Sequence, residues 1–236
     1  MAAFFVVLFV LIALALAVAL ADRVLMVLAE RKASDFAYEP FGHPPNVRVY
    51  GTPFLTQVLK GRYRQIDVSG GGLKIGEIGG ATLDAHLYNA LLPPIDLLTG
   101  RARQLPCERV DGRILLPYGE VARVSRIPAL SLSYDRSKLV ASASLPLPGL
   151  DQIVRVSGAA EVRVVDGTVW LRVRGLSVAG FSILPAMIVK QLLPILNVPI
   201  PLPRLPYGLR LQELRPVPAG IEVLCAADDV VLIQPR

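Results

Sequence analysis

Thr82-Leu83-Asp84-Ala85-His86-Leu87-Tyr88 alternates polar and apolar side chains one by one. Successive side chains of a strand point to opposite faces, so this period of two reads as a half-buried β-strand. Leu83, Ala85, Leu87 and, further on, Leu91 form its inner face. The same period begins at Arg62 and recurs toward the C-terminus. Val162 and Val164 lead into Asp166-Gly167, and Val169, Leu171 and Val173 lead out of it, with Trp170, Arg172 and Arg174 on the other face. An Asp-Gly pair between two such runs predicts a hairpin, because both turn residues take positive φ. Asp111-Gly112 predicts a second hairpin on the same ground. Asp135-Arg136-Ser137-Lys138 and Pro218-Ala219-Gly220 predict two further turns. The resulting fold class is α+β, dominated by antiparallel strands.

Helices are few and short in this part of the chain. In Thr52-Pro53-Phe54-Leu55-Thr56-Gln57-Val58-Leu59-Lys60-Gly61, Thr52 suits an N-cap, Pro53 the first helical position and Gly61 a left-handed stop. Phe54, Leu55, Val58 and Leu59 then share one apolar face. A second short helix is expected from Pro117 to about Val124. Residues 182–197 form the most apolar stretch of the domain and predict a helix that Pro194 ends or kinks. Proline alternates with apolar residues over 198–206, which predicts an extended segment on a sheet edge.

Residues 1–21 contain no charged side chain and no Gly, Pro, Asn or Gln. An apolar run of this length is enough to cross the hydrocarbon of a bilayer as a helix. Ala19-Leu20-Ala21 before Asp22 also fits a signal-peptidase site, so the segment is expected to be a signal anchor or a signal peptide, with the anchor favoured by its length. Residues 22–36 read as a helix that prolongs it, and the prolines and glycine of 38–46 read as a linker. The expected organisation is therefore a membrane segment at 1–21, a helical extension and Pro-rich linker at 22–45, and one domain at 46–236.

The net charge of +6 and a pI near 9.6 raise the question of nucleic acid. Lys and Arg are scattered rather than clustered and no nucleic-acid motif is present, so anionic lipid beside a membrane is the better partner. Chemistry leaves little trace. His43 and His86 lack a partner at zinc spacing, no nucleophile elbow is present, and Asp228-Asp229 would point to opposite faces of a strand. The glycines at 70–72, 76, 79 and 80 lack a phosphate-loop pattern and read as turns and bulges. Cys107 and Cys225 are either one disulfide or two buried thiols. No catalytic residue, metal or cofactor is assigned. Lys60, Arg62 and Arg64 directly follow the apolar face of the first short helix, an arrangement suited to a phospholipid, with apolar surface for acyl chains and donors for phosphate.

The string from Gly51 to Tyr63, followed by Ile66-Asp67-Val68, resembles the LmeA-type phospholipid-binding proteins of actinobacterial cell envelopes. Leu116-Pro117-Tyr118, Val156-Ser157-Gly158-Ala159-Ala160 and Leu205-Pro206-Tyr207-Gly208-Leu209-Arg210-Leu211 recur in the same order, as does Ala21-Asp22-Arg23-Val24. The resemblance spans nearly the whole chain. It implies export, binding of phospholipid such as phosphatidylinositol, and in one branch support of lipomannan maturation. It also implies a tubular lipid-binding architecture, a strongly curved sheet wrapping short apolar helices around a groove. The absent basic residues before the apolar run depart from the family pattern.

Together these readings expect a non-catalytic, envelope phospholipid-binding or lipid-transfer protein at the outer face of the cytoplasmic membrane. Phe54, Leu55, Val58, Leu59, Ile188, Leu192 and Leu196 would hold acyl chains, and Lys60, Arg62 and Arg64 the head group. The alternative is a membrane-tethered scaffold for glycolipid-synthesising enzymes, which would present an exposed patch in place of a groove.

Overall fold

A computed structural model of the chain describes residues 2–36, 44–94, 96, 104–125, 127, 129–146, 153–165, 168–178, 197–200 and 208–233. The period of two folds as eleven strands among these residues: β1 (Asn46–Tyr50), β2 (Arg62–Ile75), β3 (Ile78–Leu91), β4 (Gln104–Leu116), β5 (Ser131–Asp135), β6 (Lys138–Pro146), β7 (Ile153–Val165), β8 (Thr168–Val178), β9 (Val198–Ile200), β10 (Arg210–Val217) and β11 (Gly220–Ile233). The helices whose bounds lie within the described residues are α1 (Ala2–Phe36), α2 (Phe54–Lys60) and α3 (Tyr118–Val124). The strands make two antiparallel sheets, one in the order β1-β2-β3-β4-β11-β10 and one in the order β5-β6-β7-β8-β9. The β-dominated α+β class stands. The strong curvature does not: neither sheet is strongly curled. The strands are divided between two open sheets rather than rolled into one, and irregularity is taken up at single positions, such as the register shifts at Leu211/Glu213 and Ser157/Ala159.

Most predicted turns are present. Asp135 pairs with Lys138 across Arg136 and Ser137, both at positive φ, which is the backbone a tight two-residue hairpin demands. Val217 pairs with Gly220, and Val165 with Thr168, although residues 166–167 lie outside the described residues. Asp111-Gly112 is the exception, since β4 runs straight through it. A Cβ at Gly112 would stand 2.8 Å from Cys225 Sγ. This glycine serves a close approach of chain to side chain, not a turn. β9 is an edge strand, as the alternating prolines predict.

The chain divides into two compact units whose boundaries fall within β2, β3, β4 and β11. The first comprises Met1–Gly70, Asp84–Asp111 and Ala227–Arg236. Its interior is built from Val47, Val49, Phe54, Tyr63, Leu87, Ala90, Cys107, Val110 and Val230. The second comprises Gly71–Leu83 and Gly112–Ala226. Its core is one apolar cluster in which Ile78, Val121, Leu139, Leu171 and Ile221 are almost wholly buried. α3 packs Val121 and Val124 into that cluster, and the Tyr118 hydroxyl donates to the Val217 carbonyl at 2.7 Å. Glu222, also buried, is held by Arg113 at 3.3 Å and by Arg215, so its charge is paired.

α1 is one continuous helix, so residues 22–36 prolong the apolar segment as expected. It is long and apolar enough to cross a membrane. Phe4 to Ala21 is exposed on every side. From Asp22 on, one face is covered: Asp22 is buried, and Met26, Ala29, Glu30, Ala33 and Ser34 are half-buried. These positions share one side of a helix at 3.6 residues per turn.

Candidate functional site

α2 is positioned from both ends. The first turn of a helix leaves N–H groups without intrahelical acceptors. The sequence pattern assigns Thr52 to supply one, but the residue before the helix is Pro53 and no local side chain caps it. Instead, the carboxylate of Asp22 on α1 accepts from the Leu55 N–H at 2.6 Å, where a negative charge is favoured by the helix dipole. At the other end Gly61 takes the left-handed conformation, and its N–H reaches the carbonyls of Gln57 and Val58. The buried Gln57 amide ties the helix to its flanks: Nε2 donates to the Gly51 carbonyl at 2.6 Å, and Oε1 accepts from the Arg64 N–H at 3.0 Å.

This geometry divides the apolar face read from the sequence. Phe54 is sealed inside the first unit, 6.2 Å from the ring of Tyr63. Leu55 and Val58 are half-buried, and Leu59 is 72% exposed. Lys60, Arg62 and Arg64 are exposed. Alternation along β2 turns Arg62 and Arg64 outward and Tyr63 inward; burial raises the Tyr63 phenol above its ordinary pKa. Arg62 lies 3.5 Å from Glu108, whose Oε2 also accepts from Asn89 Nδ2 at 2.7 Å. Ile188, Leu192 and Leu196, with the predicted helix at 182–197, lie outside the described residues.

Beside α2 is an open recess of ≈ 350 Å³ that the sequence did not reveal. Its apolar lining includes Leu91, Pro106 and Val231, and its polar lining Arg62, Asn89, Glu108 and Asp229. Leu91 belongs to the predicted inner face of β3, yet it is 47% exposed, while Ala90 is buried. The cause is Asn89, which sits at φ 50 two residues before the end of β3. One left-handed residue breaks the alternation and sends the next residues to the opposite face, as a bulge does. Asp229, at φ 52, does the same in β11: Val230 is buried and Val231 comes out. Asn and Asp tolerate this conformation better than other L-residues, and that is the only sequence signal the recess carries. The backbone of β3's end is fixed against α2, since Leu92 N–H donates to the Gly61 carbonyl at 2.9 Å.

A second, polar recess of ≈ 290 Å³ includes Arg48, Asp67, Asp84 and His86. His86 Nδ1 lies 2.8 Å from Asp67 Oδ1, which also accepts from Gln65 Nε2 at 2.8 Å. This orients the imidazole, although the sequence offered His86 no partner within a helical turn. The cross-strand pairing of β2 with β3 brings the two together. Cys107 and Cys225 are both buried, and no disulfide joins them to each other. Burial pushes the Cys107 thiol up to about 11, so it is not a thiolate nucleophile at neutral pH. Among the described residues no group of three His, Cys, Asp or Glu side chains is placed to hold a metal ion.

A membrane-length helix, a β-rich body and an apolar recess beside an exposed cationic helix end describe a protein of the lipid-facing class. The model of the LmeA-like phospholipid-binding family matches residues 18–226, and the chain belongs to that family. No curated protein and no solved structure matches it.

Proposed function

We propose that this chain binds phospholipid at the membrane that α1 enters. The observation that carries the reading is the family match over residues 18–226, which begins inside the apolar helix and continues through both units. In this reading, Leu55, Val58 and the exposed Leu59 accept acyl chain, together with Ile188, Leu192 and Leu196 of the apolar stretch. Lys60, Arg62 and Arg64 meet the phosphate. Apolar surface bordered by guanidinium and ammonium groups suits an amphiphile, because burial drives chain binding while charge-assisted hydrogen bonds fix the head group. The protein acts by binding rather than by turnover, at the outer face of the cytoplasmic membrane. Phosphatidylinositol is the lipid proposed, and passing or presenting it during lipoglycan maturation the role.

Lipid extraction of the purified full chain followed by mass spectrometry is expected to yield a co-purifying phospholipid. Replacing Val58 and Leu59 together by Asp should reduce its yield at least tenfold while circular dichroism stays unchanged. Undiminished lipid in that variant overturns the site, and no lipid in the parent chain overturns the function.

A further inference from the structure

Three hydrogen bonds join α1 to the segment that leads into α2. Ser34 Oγ donates to the Pro45 carbonyl, Glu30 Oε1 accepts from Val49 N–H at 2.8 Å, and Asp22 Oδ1 accepts from Leu55 N–H at 2.6 Å. Going down α1 from 34 to 30 to 22, the partners rise from 45 to 49 to 55, so the two segments run antiparallel. At 1.5 Å per residue, Ser34 lies about 18 Å and Glu30 about 12 Å along the helix beyond Asp22. Residues 45–55 therefore descend along α1 and reach their lowest level at the start of α2.

That level is the edge of the apolar run. Residues 4–21 span about 27 Å as a helix, close to the roughly 30 Å of bilayer hydrocarbon. Asp22, the first charged residue, marks where hydrocarbon ends. Leu59 stands four residues beyond Leu55, within about 6 Å along α2 whatever its direction. We infer that α2 is a membrane-contact element, held by α1 in the head-group layer with the Leu59 side chain inserted and Lys60, Arg62 and Arg64 facing anionic phosphates. The occupant of this surface is the bilayer itself. A large side chain 72% exposed is accounted for if lipid covers it, and three exposed cations following it match the charge of anionic head groups. The inference rests on residues 4–21 lying in the bilayer, part of the proposed function, but does not require a lipid to be withdrawn from it.

A nitroxide placed on the full chain by Leu59→Cys tests this, since both native thiols are buried. In phosphatidylcholine–phosphatidylglycerol vesicles, the ratio of oxygen to nickel-chelate accessibility should be several-fold higher at position 59 than for the same label at Arg48→Cys. Position 48 is exposed on β1, beside the Glu30 level. Adding Asp22→Ala and Glu30→Ala should bring the ratio at 59 down toward that at 48 while the protein still floats with vesicles. Equal ratios at 59 and 48, or a chain that does not float, overturn the inference. Lipid extraction separates the two readings: immersion without retained lipid sinks the binding function alone, and retained lipid with an aqueous label sinks this one alone.

Discussion

A side chain added at Gly112 would meet the Cys225 sulfur at 2.8 Å, and the Cys225 thiol already lies 3.4 Å from the Gly112 carbonyl. Both residues belong to the second unit, whose core has no slack at this point. Gly112→Ala should therefore destabilise the protein by about 1–3 kcal/mol, the usual cost of overpacking. Cys225→Ala, which removes the opposing atom, should recover part of that loss in the double variant, as read from urea midpoints. Additive losses would show that the contact is not what glycine is there to relieve. The same residue scale explains why Asp111-Gly112 misled as a hairpin signal: local turn preference is weak beside the demand of a packed sheet for a position without Cβ.

At the scale of the element, α3 shows how a seven-residue helix is made to hold its place. Glu120 in its first turn accepts from the Gly79 N–H at 3.0 Å and pairs with Arg123 at 2.7 Å, and Arg123 also donates to the Glu77 carbonyl. The Arg123 guanidinium, and then the Gly79 N–H, hold the Glu120 carboxyl below its ordinary pKa. A depressed carboxyl stabilises the fold above its unfolded pKa, and that share is lost as pH falls through its folded pKa. The Glu120→Gln variant should accordingly be less stable than the parent at neutral pH, and the difference should shrink as pH drops through the acid range. Urea titrations at neutral and acid pH check this, and a constant difference would remove Glu120 from the account. α2 obeys a similar rule with a longer reach, since its cap comes from Asp22, 33 residues away in sequence.

For the whole molecule, α1 has two halves with different partners: residues 4–21 are bare, and residues 22–34 are docked on the first unit. Removing residues 1–21 leaves in place the three hydrogen bonds by which Asp22, Glu30 and Ser34 dock. The shortened chain should therefore keep its thermal unfolding midpoint and its β-rich circular dichroism while losing flotation with vesicles. A collapse of the fold on this deletion would mean that the apolar half contributes to the body itself.

The sequence alone determined the membrane-length helix, the antiparallel β-rich class, the places of α2 and α3 to within a residue or so and most of the hairpins. These arise from periodicity and from local backbone preference, which a strand or helix carries wherever it packs. It also held the family resemblance, spread over motifs from Ala21 to Leu211. Tertiary structure alone decided which apolar residues face out. Two left-handed residues, Asn89 and Asp229, invert the alternation and build a recess from Leu91 and Val231 that strict period two would have buried. It likewise paired His86 with Asp67 and Asp22 with Leu55, because hydrogen bonds between distant segments depend on register and docking, which no local pattern records.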